Sequence, residues 1–258
     1  MANIHETAVI DNGAEIADDV TIGPYAVISG QAEVQQGTEL GPHVSIEGKV
    51  KIGPDNKIGA GAIIGTEPQD WGYEGGNTGV EIGADNIIRE YVTINRSTDE
   101  PDGVTKIGNK NMIMCYCHIA HDCRVGDDNA LANGVTLAGH VSVGDHVMMG
   151  GLVPVHQFVR IGSYAMVGGI SRINKDVLPY IRVSGNPANV YDLNVIGLKR
   201  NDFDADTRRV LKKCFTLIYR ENHNTTQATE LIKEQFGDID EVEFLLQFIR
   251  DSERGILK

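Results

Sequence analysis

Aliphatic residues recur at every sixth position along most of the chain, and no other feature restricts the possible fold so strongly. Amphipathic helices repeat every ~3.6 residues and half-buried strands every two, so neither accounts for a period of six. A fixed short period predicts a solenoid, in which each unit supplies one inward-facing aliphatic side chain. The repeating positions are Ile4, Ile10, Ile16, Ile22, Ile28, Val34, Leu40, Ile46, Ile52, Ile58 and Ile64, then Ile82, Ile88 and Ile94, and then Ile107, Ile113, Ile119, Val125, Leu131, Leu137, Val143, Met149, Val155, Ile161, Val167 and Ile173.

The turns between these units are patterned as well. Glycine often follows the aliphatic residue, as at Gly23, Gly53 and Gly126. Three short strands with their turns make a triangular coil of 18 residues, and successive coils are expected to pair as parallel strands about 4.8 Å apart. Residues 66–79 and 95–106 interrupt the period and are predicted to loop out of the coils.

The period ends near residue 190, which predicts a β-helix domain over 1–190 and a helical domain over 191–258. Solenoids need capped ends, so the helical domain is expected to cover one end of the β-helix. Either Asp204 or Asp206 is expected to cap the first helix. Apolar side chains at helical spacing predict helices near 205–221, 225–236 and 239–252.

The charge and the cysteine content of the chain limit the cellular compartments and the binding partners that are compatible with it. A formal net charge of −13 argues against nonspecific nucleic-acid binding. No apolar run approaches the roughly 20 residues that span a bilayer, and the N-terminal segment lacks the pattern of a signal peptide. The four cysteines form no C-x-x-C pair and are expected to be reduced, buried thiols. These features predict a cytoplasmic protein.

Histidines gather on one part of the predicted solenoid. With an 18-residue coil, residues i and i+18 stack, and this brings polar side chains of three successive coils together. Scattered histidines are usually structural, whereas a cluster on a repeat surface indicates function. The clustered residues are His118, His121, His140, His156 and Gln157.

An imidazole in such a cluster is suited to general-base catalysis near neutral pH. His121 is the candidate base, and either the carboxylate of Asp122 or a backbone carbonyl would fix the tautomer of its ring. Gly139 stacks beside His121, permits close approach of a substrate to the backbone, and offers an N–H to an oxyanion. No serine or cysteine shares the column of His121, which favours direct acyl transfer over a covalent acyl-enzyme.

The segments around these histidines resemble the bacterial acyl-carrier-protein-dependent UDP-N-acetylglucosamine O-acyltransferases, hexapeptide-repeat enzymes that begin lipid A synthesis. The resemblance extends over essentially the whole chain. It implies a mainly β fold, a left-handed parallel β-helix with a small C-terminal α-helical domain, and the expected hand rests on the resemblance alone. The matching segments are His118–Cys123, Leu137–Val143, Val155–Phe158 and Gly197–Arg200.

The resemblance implies transfer of an (R)-3-hydroxyacyl group from the 4'-phosphopantetheine arm of acyl carrier protein to position 3 of UDP-N-acetylglucosamine. No further cofactor and no metal are expected. The chain is expected to form a homotrimer with active sites between neighbouring β-helices, in which His121 is the base and the Gly139 N–H binds the oxyanion. The sugar nucleotide or the pantetheine would be held by Gln69, Asp70, His118, His140, His156 and Gln157, and the nucleotide also by Asn194 and Arg200.

Two further features concern the acyl donor. A basic cluster on the first predicted helix is expected to dock the acidic carrier protein. Gly169 matches the family position that helps to measure the acyl chain. Since Gly168 and Gly169 have no side chains to block a groove, a donor of roughly 12–14 carbons or more is expected. The docking cluster comprises Arg208, Arg209, Lys212 and Lys213.

Two departures from the family's common form leave the acceptor open. The first insertion reads Gln69-Asp70-Trp71-Gly72 where the family commonly has Gln-Asp-Leu-Lys, and Asn95 stands where a histidine is common. Gly72 supplies no cation near the sugar, where the family commonly has a lysine. A protonated 3-amino acceptor, which would give an amide, would therefore meet less repulsion there. The 3-hydroxyl, which gives an ester, is expected because it is the family's common acceptor.

Three other functions fit a hexapeptide solenoid less well. A γ-class carbonic anhydrase binds zinc through three imidazoles, two of them five residues apart, whereas His118 and His121 are three apart. An N-acyltransferase acting later in lipid A synthesis carries an added N-terminal domain, for which hexads from Ile4 leave no room. A noncatalytic ice-binding or scaffold solenoid is typified by regular ranks of threonine, which the sequence lacks.

Overall fold

The computed structural model describes residues 1–98 and 103–258, and its first part is the predicted solenoid. Three sheets of short, mostly parallel strands form the walls of a triangular prism, and each of the first eight coils contributes one strand to each wall. The strand register follows the six-residue phase, since Ile4 pairs with Ile22 and Ile119 with Leu137. Each aliphatic residue of the period therefore stacks on its counterpart in the next coil, as predicted.

The walls are called the first, second and third sheets, in the order in which the chain visits them. All neighbouring strands are parallel except the last pair of the first sheet, which is an antiparallel hairpin. The first sheet consists of Asn3–Ile4, Thr21–Ile22, Glu39–Leu40, Lys57–Ile58, Ile87–Ile88, Met112–Ile113, Ala130–Leu131, Met148–Met149, Met166–Val167, Ile181–Ser184 and Asn189–Leu193. The second consists of Val9–Ile10, Val27–Ile28, Ser45–Ile46, Ile63–Thr66, Thr93–Asn95, His118–Ile119, Thr136–Leu137 and Pro154–Val155. The third consists of Glu15–Ile16, Ala32–Val34, Lys49–Ile52, Gly79–Ile82, Val104–Ile107, Arg124–Val125, Ser142–Val143 and Arg160–Ile161.

The core inside the prism is almost entirely aliphatic. From Ile22 onwards the repeating residues are buried, with Ile28, Ile64 and Ile119 fully inaccessible to solvent, whereas Ile4 is exposed and Ile10 and Ile16 are partly buried. Full burial of such a side chain contributes about 1.5–3 kcal/mol relative to exposure. In the two-residue strands the second residue faces this core, so the first residue and the turns are left to form the outer surface.

Both insertions in the six-residue period, and the turns that contain Asp122 and His140, lie at the corner between the second and third sheets. Both insertions leave the coils there, one after Ile63–Thr66 and the other after Thr93–Asn95. In the coils that follow, the same corner turns through Asp122, His140 and Phe158, which all have positive φ near 60°. Non-glycine residues adopt this conformation uncommonly, so the coil geometry imposes it.

Four helices close the C-terminal end. They are α1 (Val195–Arg200), α2 (Ala205–Tyr219), α3 (Thr225–Phe236) and α4 (Asp240–Arg250). The last three confirm the predicted helices, while α1 was not predicted. Asp204 caps α2, because its carboxylate accepts hydrogen bonds from the N–H groups of Asp206 and Thr207 at 2.8 Å. The last strand of the first sheet runs across the predicted boundary at residue 190, and the division into two domains stays a prediction. Over residues 1–98 and 103–258, the structure has no helix long and apolar enough to cross a membrane.

Candidate active site

His121 and Asp122 form a hydrogen-bonded pair at the corner between the second and third sheets. His121 is buried, and its Nδ1 lies 2.7 Å from Asp122 Oδ2. Burial by itself raises the pKa of Asp122, but hydrogen bonds from His121, Ser97 and Thr98 outweigh it and hold this pKa well below its usual value. An ionised Asp122 can only accept, so Nδ1 carries the proton and Nε2 keeps a free lone pair. Of the two groups left open by the sequence, the carboxylate is the one that fixes the tautomer.

Ser97 and Thr98 belong to this site, although neither was predicted. Ser97 Oγ donates to Asp122 Oδ1, and Thr98 Oγ1 donates to Oδ2 at 2.7 Å. Both residues follow directly after the period breaks at Ile94. That break is the one feature of the sequence that draws attention to Ser97 and Thr98. A serine or threonine in a nonperiodic stretch belongs to no repeating pattern from which its position could be predicted.

Gly139 lies directly against the His121 ring. A Cβ at this position would come within 2.5 Å of His121 Cε1 and 2.7 Å of Nε2, so only glycine leaves room for the ring. Among the described residues, no acceptor is hydrogen-bonded to the Gly139 N–H. At the equivalent turn between the third and first sheets, the Asp127 N–H is capped by Asp145 Oδ1 at 2.8 Å. In the part of the chain that the structure describes, the N–H of Gly139 thus has no acceptor beside the imidazole.

His140 and Asp70 complete the polar surroundings of the imidazole. The His140 ring meets the His121 ring edge-on at 5.3 Å and stacks on Phe158 at 4.5 Å, which confirms the predicted stacking at this corner. Asp70 Oδ2 lies 4.0 Å from His121 Nε2, and Asp70 Oδ1 accepts a hydrogen bond from the Gly72 N–H at 2.7 Å. The first insertion therefore folds back over the histidine of a later coil.

A cavity of about 600 Å³ opens beside this group. The two insertions that border it are joined, because Asn95 Nδ2 donates to Thr66 Oγ1 at 2.9 Å and to the Glu67 carbonyl at 2.6 Å. Arg96 adds an ion pair of 3.0 Å to Glu67. The cavity is lined by Asp70, Gly72, Tyr73, Glu74, Gly75, Thr98 and His140.

The other predicted polar residues of the cluster lie on the same side of the prism. His118 is on the second sheet, where its Nδ1 lies 2.8 Å from Thr93 Oγ1. Burial, and then the neighbouring His121, lower the pKa of His118. His156 and Gln157 are exposed one and two residues after the strand Pro154–Val155, and Gln69 is exposed in the first insertion. The binding roles of these residues stay predictions.

Asn194 and Arg200 lie elsewhere in the chain. They line a cleft of about 460 Å³ on the first sheet, beside Met148 and Met166. Asn194 also caps α1, because its Oδ1 accepts from the Gly197 N–H at 3.1 Å. The first sheet is the wall opposite the corner that carries His121, so a single chain does not bring the two groups together.

Gly169 is the residue predicted to measure the acyl chain of the donor. Gly169 lies at the corner between the first and second sheets, and an added Cβ would meet only the backbone of Gly150 and Gly151, at 3.3 Å or more. The backbone of Gly151 thus stacks under Gly169, while Leu152 and Ile170 at the same corner have exposed side chains. The role of Gly169 in measuring the acyl chain stays a prediction.

The basic cluster on α2 is partly engaged with its own chain. Arg209 forms an ion pair of 2.9 Å with Asp206, Lys212 pairs with Asp192, and Arg208 donates to the Phe203 carbonyl. Lys213 Nζ lies 5.5 Å from the centre of the Phe236 ring. Arg209, Lys212 and Lys213 are exposed despite these contacts, so carrier-protein docking stays a prediction for this helix.

A cysteine nucleophile and a bound metal ion are the two alternative chemistries at this site. Cys123 is buried two residues from His121, and burial raises the pKa of its thiol to about 12, which leaves almost no nucleophilic thiolate at neutral pH. The ligand atoms of His121, Asp122 and His140 all lie within 4.8 Å of one another, so the donor types of a metal site are present. However, Asp122 Oδ2 is already bonded to His121 Nδ1 and Thr98 Oγ1, the arrangement of a carboxylate that orients an imidazole.

Comparison with known proteins assigns the chain to a family. The family model described as Udp N-acetylglucosamine O-acyltransferase, Domain 2, matches residues 176–257, and the model of the bacterial transferase hexapeptide (six repeats) matches residues 105–139. The acyl-[acyl-carrier-protein]–UDP-N-acetylglucosamine O-acyltransferase of Thiobacillus denitrificans is 45% identical over 100% of both chains. The chain belongs to the UDP-N-acetylglucosamine O-acyltransferase family. A second relative of the same name, from Paracidovorax citrulli, is 50% identical over 100% of both chains.

Solved structures of this acyltransferase family have the same fold. The UDP-N-acetylglucosamine O-acyltransferase of Moraxella catarrhalis superposes with a TM-score of 0.97 at 43% identity, over 99% of this chain and 100% of that chain. The Campylobacter jejuni UDP-N-acetylglucosamine acyltransferase gives a TM-score of 0.93 at 38% identity, over 98% of each chain. The predicted fold class is confirmed as a left-handed parallel β-helix of hexapeptide repeats with a small C-terminal helical region.

Proposed function

We propose that the chain transfers an (R)-3-hydroxyacyl group from acyl carrier protein to the 3-hydroxyl of UDP-N-acetylglucosamine, the first step of lipid A synthesis. The observation that carries the proposal is the buried His121–Asp122 pair, whose imidazole packs against Gly139, a residue whose N–H has no acceptor among the described residues. The names of the full-length relatives support the two substrates. The cavity beside Asp70 and His140 provides the space for a sugar.

The geometry supports a single transfer step with His121 as general base. Nε2 of His121 removes the proton of the 3-hydroxyl while the sugar oxygen attacks the thioester carbonyl. Asp122 stabilises the resulting imidazolium, and the Gly139 N–H donates to the oxyanion. When the intermediate collapses, the carbon–sulfur bond breaks and the imidazolium returns its proton to the pantetheine thiolate. No acyl-enzyme forms, since the nearby Cys123 is buried and protonated.

The remaining predicted residues bind the substrates in this proposal. The only prosthetic group involved is the 4'-phosphopantetheine of the acyl donor, and no metal takes part. The free thiols of all four cysteines support a cytoplasmic location, where such thiols stay reduced. Gly169 leaves room for an acyl chain of roughly 12–14 carbons, at about 0.8 kcal/mol for each buried methylene. The sugar nucleotide or pantetheine is held by Gln69, Asp70, His118, His140, His156 and Gln157.

The proposal includes a homotrimer, because a complete site needs two chains. Asn194 and Arg200, which would contact the nucleotide, lie on the wall opposite the corner that carries His121. In a closed ring of three chains, the first sheet of one chain faces that corner of its neighbour. Each site then takes its base from one chain and its nucleotide-binding residues from the next.

The substitution His121→Ala tests the proposed base. Loss of a positioned base typically lowers the rate by about 10²–10⁴-fold, and we expect kcat to fall within this range. The matched control is His146→Ala, because His146 lies at another corner and stacks on Tyr164. Steady-state kinetics of both purified variants, with circular dichroism to verify folding, make the comparison. Near-normal turnover by His121→Ala would remove His121 from the role of base.

A second acceptor is favoured by one observation near the base. The carboxylate of Asp70 lies 4.0 Å from His121 Nε2, and Gly72 presents no side chain there, so a 3-ammonium group would meet a negative charge without a competing cation. We nevertheless expect the 3-hydroxyl to be preferred, because the named relatives are O-acyltransferases. Direct competition between UDP-N-acetylglucosamine and its 3-amino analogue decides this. A large excess of amide over ester product would contradict the hydroxyl assignment and leave the fold and the base unaffected.

A further inference from the structure

Ser97 and Thr98 lie against Asp122 where the second insertion leaves the coil. Ser97 is fully buried, and neither residue belongs to the six-residue series. We propose that the hydroxyl groups of Ser97 and Thr98 are positioning groups, which hold the Asp122 carboxylate on His121 and so keep the ring proton of this histidine on Nδ1. The inference rests on the proposed function, in which His121 is the general base.

Both oxygens of Asp122 are occupied by these two residues. Ser97 Oγ donates to Oδ1, which also accepts from the Thr98 N–H at 3.2 Å, while Thr98 Oγ1 donates to Oδ2 at 2.7 Å. Ser97 Oγ has a second acceptor within reach, the Thr98 carbonyl at 3.0 Å. An ionised carboxylate is the stronger acceptor of the two, so the hydroxyl proton is directed to Asp122.

Two imidazoles lie close enough to the Asp122 carboxylate to compete for it. His121 Nδ1 lies 2.7 Å from Asp122 Oδ2, and His140 Nε2 lies 3.6 Å from the same oxygen. Rotation of the carboxylate towards His140 would break the hydrogen bonds from Ser97 and Thr98. Because hydrogen bonds to an ionised carboxylate are stronger than those between neutral groups, the two hydroxyl groups keep Asp122 paired with His121.

The surroundings of His121 make its tautomer depend on these hydroxyl groups. The groups that face or interact with the His121 ring are Asp122, Asp70, His140 and His118. When the hydroxyl groups are removed, the Asp122 carboxylate is free to turn towards His140, and the ring proton of His121 is no longer held on Nδ1. A smaller share of the rings then presents a free Nε2 to the substrate.

The substitutions Ser97→Ala and Thr98→Val, singly and combined, test this. We expect kcat to fall on the order of 10-fold for each, with KM for both substrates within about 2-fold, since only the orientation of the base is disturbed. Thr98→Ser keeps the hydroxyl and should restore kcat.

The matched control is Thr105→Val. Thr105 is fully buried, and its Oγ1 accepts from the backbone N–H of Asp122 at 2.9 Å without touching the carboxylate. We expect Thr105→Val to lower Tm while leaving the tautomer of His121 unchanged. If the Ser97 and Thr98 variants lose activity with that tautomer unchanged, as in this control, their role is structural and the proposal is wrong.

A measurement without substrate separates this inference from the proposed function. Nitrogen-15 NMR of labelled histidines, with His121→Ala to assign the resonances, reports the tautomer of His121. We expect a single form with the proton on Nδ1 in the wild-type chain and a mixture in the Ser97→Ala, Thr98→Val double variant. An unchanged tautomer in the double variant would overturn the inference. Normal turnover by His121→Ala would overturn the proposed function and leave the NMR result standing.

Discussion

At the scale of single residues, the candidate site depends on an unusual pairing of a glycine with a buried histidine. The imidazole of His121 occupies the space that a Cβ on Gly139 would need. The same glycine presents the N–H that no other described residue accepts from. The proposed base and the proposed oxyanion donor are therefore held next to each other by the stacking of two coils.

The substitution Gly139→Ala should disrupt this arrangement. Its Cβ would lie 2.5 Å from His121 Cε1, so the ring must move away from Asp122 or from the substrate. We expect kcat to fall by about 10²-fold or more, because a base displaced by roughly 1 Å loses that much. Gly151→Ala is the control, since its Cβ meets only the Asn133 carbonyl, at 3.2 Å. Steady-state rates and Tm of both variants check the prediction, and equal rates would contradict it.

The sequence predicts the placement of residues that stack in the register of the coils, but not the placement of residues that reach the site from an insertion. His121, Gly139 and His140 are brought together by the 18-residue coil, which is why their placement was predictable. Ser97 and Thr98 reach Asp122 from an insertion, and the path of a nonperiodic segment has no register to follow. Such contacts are set by side-chain hydrogen bonds that only the folded structure shows.

At the scale of secondary-structure elements, the same division applies. Every uninterrupted run of the period forms strands in the predicted phase, because one aliphatic residue per strand must face the core. Helix α1 was missed, since its six residues are too few to show helical spacing. A ladder of buried asparagines was missed too. In it, Asn86 and Asn111 donate side-chain hydrogen bonds to Asn56 Oδ1 and Asn86 Oδ1 at 2.9 and 3.0 Å, inside an otherwise aliphatic core.

Helix α2 is the element on which the docking of acyl carrier protein can be tested. Reversing the charge of Arg208, Arg209, Lys212 and Lys213 should raise KM for the carrier protein on the order of 10-fold, with little change for the sugar nucleotide, because rim charges act mainly on association. The effect should shrink as salt increases. Kinetics with each substrate varied in turn provide the measurement.

Two comparisons sharpen the docking test. Lys212 pairs with Asp192 and Arg209 with Asp206, so Lys213→Glu, which removes no ion pair, is expected to show the effect without loss of stability. Lys233→Glu makes the same charge change on α3 and is expected to leave KM unchanged. Equal effects of the α2 and α3 variants, or equal effects on both substrates, would place the docking surface elsewhere.

At the scale of the whole molecule, the prism separates groups that the proposed reaction needs together. His121 lies at the corner between the second and third sheets, and Arg200 lies by the opposite wall. The apolar outer face of that wall includes Met148, which is 48% exposed, and Met166. A chain with such an apolar surface beside the residues proposed to bind the nucleotide is suited to contact a second copy of itself. One-dimensional periodicity predicts the walls, but it contains no information on which wall faces a neighbour.

Mixed trimers test the shared site directly. Co-expression of His121→Ala and Arg200→Ala chains at equal levels should restore activity, because some interfaces then combine an intact His121 with an intact Arg200. With random assembly into a closed ring, about one quarter of the interfaces are intact, so roughly a quarter of the wild-type activity is expected. Co-expression of His121→Ala with Asp122→Asn is the matched control, since both substitutions affect the same half of the site and no interface is restored. Activity of the first mixture no greater than that of its parents would show that each chain completes its own site, and the arrangement proposed for the trimer would then be wrong.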